Sequence, residues 1–573
     1  MLQTLTTPRG ETLSGTPWQV YPRPQMRRDS YINLNGEWDF AVSSGNPETF
    51  DMRILVPFCP ESRPSGIGRH FEEGAPLWYR RRFLLPEGFR RERVLLHIGA
   101  ADQIAEVFVN GQHLCRHEGG YASFCVDITE ALAEENELVI RCTDDLHDQA
   151  FPYGKQVMNR GGMWYTPVSG IWQTVWLESV PGTYIENLNI ENHGASVTIS
   201  TVPPLDGTVS VEQLGQFPLE NGQVTIAPEN PHFWCPDDPY LYRFTVETAQ
   251  DKVESYFAIR SLEIKKVGGY PRLCLNGKPY FFHGLLDQGY WPEGLLTAPA
   301  PESYADDILA MKRLGFNTLR KHIKVEPEEF YYQCDRLGMI VWQDMVNNGS
   351  YSYFRDTVLP TIGIQKRNDR RLHRDERSRN TFRQGAADAV NQLKSHPCIC
   401  YWTIFNEGWG QFDSDRVCGW FRTLDATRFI DTTSGWFRGK NTDVDSRHQY
   451  FGKLRLEGDG LRPLVLSEFG GKTWRVEGHI FNPDKTYGYG ACPTREALNE
   501  AVAALYRESI VPAVEKGLCA AIYTQVSDVE DEVNGLITYD RRVVKLGADT
   551  MLPISRALQD AMEKTVASFE KMG

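Results

Sequence analysis

The sequence predicts a protein of three domains, in which two all-β sandwiches precede a (β/α)8 TIM barrel. The chain has 573 residues, which is too long for a single hydrophobic core. Up to residue 262, short alternating apolar runs are separated by turn residues; from residue 263, apolar strand-like runs alternate with helical segments. The change in period therefore separates an all-β part from an α/β part.

Two β domains are expected before the barrel. In residues 1–180, runs such as "AEVFVNGQHLC" and "ELVIRCT" alternate in polarity and are separated by Asn-Gly and Gly-Gly turns, which is typical of an antiparallel sandwich. Residues 181–262 contain a further series of short strands, including "ASVTISTV" and "YRFTVET". A segment of this length with about seven short strands favours a small immunoglobulin-like β-sandwich.

The last domain, residues 263–573, contains eight strand candidates separated by helical segments. Each candidate is short and mostly apolar, as expected for parallel strands buried on both faces. The fifth and sixth, in "DTTSGW" and "SRHQYF", have the weakest pattern. Function in such barrels lies at the carboxyl ends of the strands, so the polar residues that end the apolar runs are the candidate site.

Composition excludes several classes of partner. The formal net charge of -14 argues against nucleic acid, because affinity for phosphates depends largely on Lys and Arg. Signal-peptide and membrane-spanning apolar segments are absent from the sequence, so we expect a cytoplasmic protein without a membrane partner. The 12 Cys are scattered along the chain, which predicts free thiols rather than disulfides or a zinc site. We expect no metal and no cofactor. A homo-oligomer is left open.

Glu407 and Glu468 are the most informative of the polar strand-end residues. Each ends an apolar run, on the predicted fourth and seventh strands, and each has Gly within two residues. Two carboxyls in one cleft can differ in pKa, so that one serves as an acid and the other as a nucleophile, which is what glycosidic cleavage requires. The alternative is that each Glu only caps a helix or pairs with Arg.

Longer segments carry a resemblance to a known family. "SHPCICYWTIFNEGWG" resembles the acid/base segment of glycoside hydrolase family 2, the family of β-galactosidases, β-glucuronidases and β-mannosidases, and "PLVLSEFGG" resembles its nucleophile segment. "INLNGEWDF" and "SGIWQTVWLE" are similar to its amino-terminal jelly-roll domain, and "LCLNGKPYFFHG" to the start of its barrel.

The resemblance implies a retaining exo-β-glycosidase acting on an oligosaccharide or glycoside. Glu407 corresponds to the acid/base, Glu468 to the nucleophile, Asn406 to the residue that contacts the sugar 2-hydroxyl, and Arg320 to the arginine beside the nucleophile. The remaining substrate-binding candidates are strand-end or loop residues: His322, Asp287, Asp344, Trp409, Trp436, His448, Tyr450, Trp474 and Gln525. For the histidines, aspartates and tryptophans among them, a structural role is the alternative.

The sequence leaves the sugar open. The Asn-x-Lys pair by which family β-glucuronidases bind the substrate carboxylate is replaced here by Asn534-Gly535-Leu536, and "RGGMWYTPVSGIW" lacks the acidic residue that family β-galactosidases place before this turn. On frequency alone β-galactosidase is the first expectation, with β-glucuronidase or another uronidase and β-mannosidase as alternatives. An inactive carbohydrate-binding protein is the non-enzyme alternative, which the presence of both Glu residues disfavours.

Overall fold

The computed structural model describes residues 2–364 and 368–570, with the backbone alone for Thr361 and residues 567–570. Two β-sandwiches are followed by a parallel eight-stranded barrel, which confirms the predicted fold class. The three hydrophobic cores are separate, one in each sandwich and one in and around the barrel.

The first sandwich packs a four-stranded sheet against a six-stranded one around a core that includes Trp38, Tyr79 and Ile140. The strands of the first sheet, in spatial order, are Ile32–Asn33, Val175–Val180, Arg93–Ile98 and Phe124–Asp127. Those of the second are Met52–Val56, Gly36–Val42, Leu77–Phe83, Asn136–Thr143, Ile104–Val109 and Gln112–Glu118. A short pair, Gly170–Ile171 and Ala101–Asp102, lies beside them.

The second sandwich is smaller and also entirely antiparallel. One sheet contains Asn187–Asn192, Val197–Val202 and Gln223–Ile226. The other contains Gly215–Leu219, Gly207–Val211, Tyr242–Thr248 and Lys252–Phe257. A three-stranded sheet of Leu262–Val267, Tyr270–Leu275 and Lys278–Pro279 then leads into the barrel.

The barrel strands are numbered here in chain order. They are β1 (Phe282–Asp287), β2 (Thr318–Lys321), β3 (Ile340–Asp344), β4 (Ile399–Asn406), β5 (Phe429–Ser434), β6 (Asp445–Gln449), β7 (Leu464–Gly470) and β8 (Leu518–Thr524). Parallel ladders join neighbours in the order β5-β4-β3-β2-β1-β8-β7-β6. At the seam the β5 and β6 side chains meet, with Ser434 Oγ 3.3 Å from Ser446 Oγ.

Helices surround the barrel between the strands. The longer ones are Glu302–Arg313, Glu328–Leu337, Glu376–Leu393, Ser414–Leu424, Arg495–Leu505 and Ala548–Glu570. Shorter helical segments are Pro8–Glu11, Thr129–Ala131, Phe354–Val358, Leu359–Thr361, Asp369–Arg371, Tyr506–Ile510 and Val511–Val514. Local sequence sets several ends: Asp375 and Thr494 accept backbone N–H groups as N-caps, and Gly338 ends its helix at φ 72°.

Within the described parts of the chain, no helix has both the length and the apolar character needed to cross a bilayer. All twelve cysteines are free thiols, as predicted from their spacing. The cytoplasmic location stays a prediction.

Candidate active site

Glu407 follows β4, a strand in which every residue is buried. Its φ of 52° lies in the left-handed region, which is unfavourable for a residue with a side chain. A hydrogen bond from Glu407 N to Ser434 O (3.0 Å) on β5 holds this turn, and Gly408 continues it at φ 78°. The chain therefore turns sharply at the strand end.

Glu468 lies within β7, and the strand register places it opposite His448 of β6. His448 links the two acids: its Nδ1 lies 2.8 Å from Glu407 Oε1 and 3.6 Å from Glu468 Oε2. One oxygen of each carboxyl and one ring nitrogen of His448 all lie within 4.8 Å of one another. The two carboxyls, 61 positions apart in the sequence, therefore face each other closely.

Arg320, the third residue of β2, is fully buried between the strand ends. Its Nη1 donates to Glu468 Oε1 (2.9 Å) and Ser467 O (3.0 Å), and its Nη2 donates to Asn406 Oδ1 (2.8 Å). Its Nε donates to Asp344 Oδ1 (3.0 Å). This guanidinium therefore fixes the nucleophile candidate and the Asn beside the acid candidate in one network.

The environments of the two acids separate their pKa values. Burial alone would raise the pKa of Glu468, but His448 and Arg320 outweigh it and lower that pKa to about 2. Burial, followed by the charge of Glu468, raises the pKa of Glu407. Glu468 is thus held ionised and Glu407 favours its protonated form, the division of roles that an acid and a nucleophile need.

Two histidines at the strand ends are held in defined orientations. His448 Nε2 lies 3.3 Å from Arg320 Nη1. Because a guanidinium can only donate, Nε2 is the acceptor in this contact. The ring proton is then on Nδ1, which donates to Glu407. His322 Nδ1 lies 2.7 Å from Asp344 Oδ2, and burial followed by the charge of Lys155 lowers the pKa of His322 to about 4. Its ring is therefore neutral near pH 7, with Nε2 as an acceptor.

Tyr450 and Gln525 also lie at this end of the barrel. The Tyr450 hydroxyl donates to Glu468 Oε2, lies 3.1 Å from Thr524 Oγ1, and its ring stacks on Tyr489 at a centroid distance of 3.9 Å. Gln525 Nε2 donates to Asn534 Oδ1 (2.8 Å), whereas Gln525 Oε1 is buried without a hydrogen-bond partner. Tyr450 therefore supports the nucleophile candidate directly.

The tryptophan candidates separate into two groups. Trp409 stacks on Trp164 (centroid distance 5.2 Å), and Trp436 lies 6.3 Å from the His448 ring. Trp474 packs against the barrel core instead. The first two therefore border the carboxyl pair.

Asp287 is already engaged by its neighbours. Its Oδ1 accepts from Gly289 N (3.0 Å), and its Oδ2 forms an ion pair with Lys321 Nζ (2.7 Å). This arrangement favours the structural alternative for Asp287 over direct sugar binding.

Several residues near the carboxyl pair escaped prediction. Lys155 and Trp164 belong to the first sandwich domain but contact Trp409 of the barrel. Trp164 lies in the segment "RGGMWYTPVSGIW", whereas Lys155 precedes that segment and belongs to no motif that the sequence distinguishes. Tyr351, Tyr489 and Glu532 lie in loops after β3, β7 and β8, where the sequence has no distinguishing pattern.

Among the residues that the structure describes, two groups of side chains have the spacing for a metal ion. One is Glu407, His448 and Glu468; the other is Glu73, Asp145 and His147 in the first domain. In the first group Glu468 is already paired with Arg320, and the second group is largely exposed. Acid/base and nucleophilic chemistry at the first group needs no metal.

We expect Arg320→Met to shift the acid limb of the kcat/KM pH profile to higher pH. A cation favours the ionised carboxylate, so its loss raises the pKa of Glu468, and activity falls wherever that group becomes protonated. The profile on a 4-nitrophenyl glycoside, beside that of the exposed control Arg313→Met, tests this. An unshifted acid limb in Arg320→Met would contradict the proposed electrostatics.

Family models match most of the three-domain region. The model for the TIM barrel domain of glycosyl hydrolases family 2 matches residues 267–455, the galactose-binding domain-like model of the same family matches residues 70–160, and a third family 2 model matches residues 183–260.

Relatives with assigned names are distant. A β-galactosidase from Thermoanaerobacter pseudethanolicus is 23% identical over 65% of this chain and 49% of the relative. A β-glucuronidase from Bacteroides fragilis is 22% identical over 66% of this chain and 56% of the relative, and one from Felis catus is 25% identical over 68% and 65%. The chain thus spans about half the length of the first two relatives.

Solved structures share the fold over nearly the whole chain. A β-glucuronidase from an uncultured Clostridium has a TM-score of 0.71 at 18% identity, covering 96% of this chain and 100% of its own. A β-galacturonidase from Eisenbergiella tayi, bound to galacturonate, has a TM-score of 0.67 at 17% identity, covering 95% and 99%. At these identities the likeness shows a common three-domain fold.

Proposed function

The chain belongs to glycosyl hydrolase family 2, and from that premise we propose that it is a retaining exo-β-glycosidase that removes terminal, non-reducing β-linked sugars. The observation that carries the proposal is the close approach of Glu407 and Glu468, of which one oxygen each and one ring nitrogen of His448 lie within 4.8 Å of one another. Retaining enzymes hold their two carboxyls about 5 to 5.5 Å apart, whereas inverting enzymes leave about 6.5 to 9.5 Å for a water molecule.

In the first step Glu468 attacks the anomeric carbon while Glu407 gives its proton to the leaving oxygen. Arg320 keeps Glu468 ionised and fixes one of its oxygens, and the Tyr450 hydroxyl binds the other. Asn406 Oδ1 is occupied by Arg320, so its Nδ2 remains to donate to the sugar 2-hydroxyl. The products are a covalent glycosyl ester on Glu468 and the free aglycone.

In the second step water hydrolyses this ester. Glu407, now ionised, accepts a proton from the water as its oxygen attacks the anomeric carbon, and the Glu468 carboxylate leaves. The His448 Nδ1–H favours the ionised form of Glu407 in this step. Two inversions at one carbon give net retention.

The comparisons do not favour β-galactosidase, the first expectation from the sequence, because several similar relatives and solved structures are named β-glucuronidases. We therefore place a β-linked uronide first, with β-galactoside and β-mannoside as alternatives. The inactive carbohydrate-binding alternative is disfavoured because both carboxyls are present and oriented.

Two measurements test the proposed function. A panel of 4-nitrophenyl β-D-glucuronide, galacturonide, galactoside and mannoside gives the sugar, with Glu468→Gln as the blank. Proton NMR of the first sugar released from the best substrate gives its anomeric form, and we expect the β-anomer. An α-anomer as first product, or turnover of no member of the panel, would overturn the proposal.

A further inference from the structure

We propose that Lys155, which the first sandwich domain contributes to the barrel cleft, binds the carboxylate of a uronic acid sugar and so selects β-uronides over neutral β-glycosides. The proposal rests on the glycosidase function above and names its substrate class.

Lys155 is a buried cation with which no described carboxylate forms an ion pair. Lys155 is 7% exposed. Among the residues that the structure describes, no carboxylate oxygen lies within 4.0 Å of its ammonium, and no acceptor forms a hydrogen bond with it. Other buried cations near the strand ends are paired: Arg320 with Glu468 and Asp344, and Lys321 with Asp287 and Glu326. Since a buried ammonium is costly unless an anion offsets it, Lys155 has the character of a ligand-binding group.

The position of Lys155 places its ammonium beside the catalytic pair. It lies 5.8 Å from the ring centroid of Trp409, two residues after Glu407, and 5.7 Å from that of Tyr165. Its charge acts to lower the pKa values of Glu407 and His322, which follow different strands, although burial keeps the pKa of Glu407 raised. This ammonium, which has three donors, is therefore close enough to Glu407 to reach a sugar bound there.

A carboxylate satisfies this site better than a hydroxyl does. A hydroxyl accepts one hydrogen bond but leaves the charge of Lys155 uncompensated, whereas a carboxylate offers two oxygens and a full negative charge. Glu532 is a protein alternative: burial raises its pKa, the charge of Lys155 lowers it, and its Oε2 already accepts from the Tyr165 hydroxyl.

The cations in the loop that follows β8 are already paired, Lys545 with Asp528, Arg541 with Asp307 and Arg542 with Glu11. This loop also presents Glu530, Asp531 and Glu532, and the first two are paired with Arg160. A substrate carboxylate placed there would meet negative charge. Lys155 is thus a cation that remains available for it.

The test compares kcat/KM on 4-nitrophenyl β-glucuronide and galacturonide with that on the matching glucoside and galactoside. We expect wild-type protein to prefer a uronide, and Lys155→Met to lower the uronide-to-neutral ratio by about 100-fold or more, since an unpaired buried carboxylate is left behind. Lys155→Gln, which keeps a donor, serves as a second variant, and Lys266→Met on the strand Leu262–Val267 is the exposed control. Thermal unfolding confirms that each variant is folded.

Each outcome tests either the role of Lys155 or the glycosidase function. Wild-type preference for a neutral glycoside would overturn the assignment of Lys155 and leave the glycosidase proposal intact. A uronide preference that survives in both folded Lys155 variants would also overturn it, as would an equal loss on charged and neutral substrates. Failure of the wild-type protein on every glycoside contradicts the glycosidase function instead.

Discussion

Glu468→Gln lowers kcat on every glycoside by at least about 10,000-fold, because the covalent route depends on this carboxylate. Glutamine matches the carboxyl in shape but is a poor nucleophile and carries no charge to stabilise the oxocarbenium-like transition state. The loss extends to 4-nitrophenyl and 2,4-dinitrophenyl glycosides, since a good leaving group does not replace a nucleophile. Steady-state assays of both aryl glycosides measure it.

The exposed residue Glu500 on the helix Arg495–Leu505 provides the matched control, as Glu500→Gln makes the same chemical change far from the strand ends. Arg320 keeps Asp344 and Asn406 as partners when Glu468 is replaced, so the variant is expected to fold. Near-normal turnover of the aryl glycosides by folded Glu468→Gln would show that another group is the nucleophile.

Glu407→Gln produces a loss that depends on the leaving group. Glycosides with poor leaving groups lose about 100- to 10,000-fold in kcat/KM, because proton transfer to the departing oxygen is removed. The same parameter for 2,4-dinitrophenyl glycosides changes little, since that leaving group departs without a proton. Comparing kcat/KM over a series of aryl glycosides of increasing leaving-group pKa measures the difference.

Azide distinguishes the two acids independently. In Glu407→Ala, azide attacks the glycosyl ester on Glu468 and gives the β-glycosyl azide; in Glu468→Ala, it attacks the substrate directly and gives the α-product. Equal losses across the aryl series, or an α-azide from Glu407→Ala, would contradict the acid/base role of Glu407.

The close approach of Glu407 and Glu468 was predictable from sequence because each Glu ends a long apolar run, and parallel barrel strands bring such ends together. The weak pattern of β5 and β6 also has a structural reason. Their seam is bridged by side chains such as Ser434 and Ser446, so these strands carry more polar residues than their neighbours.

The rest of the site depends on contacts that local sequence does not encode. Asp287 and Asp344 end comparable strands, yet Lys321 engages the first whereas Arg320 and His322 engage the second. Lys155 and Trp164 reach the cleft from another domain, more than two hundred positions before the acid they approach. No periodicity reveals such a contact, because it arises from how the domains pack.

Trapping of the glycosyl intermediate tests the central claim most directly. The probe is a 2-fluoro glycoside of the sugar that the panel identifies. The fluorine slows both formation and hydrolysis of the glycosyl ester. A good leaving group offsets the effect on formation, so the ester accumulates. Peptide mapping by mass spectrometry then locates the sugar. We expect the label on the peptide that contains "VLSEFGG", at Glu468. A label on Glu407, or inactivation without covalent attachment, would contradict the mechanism.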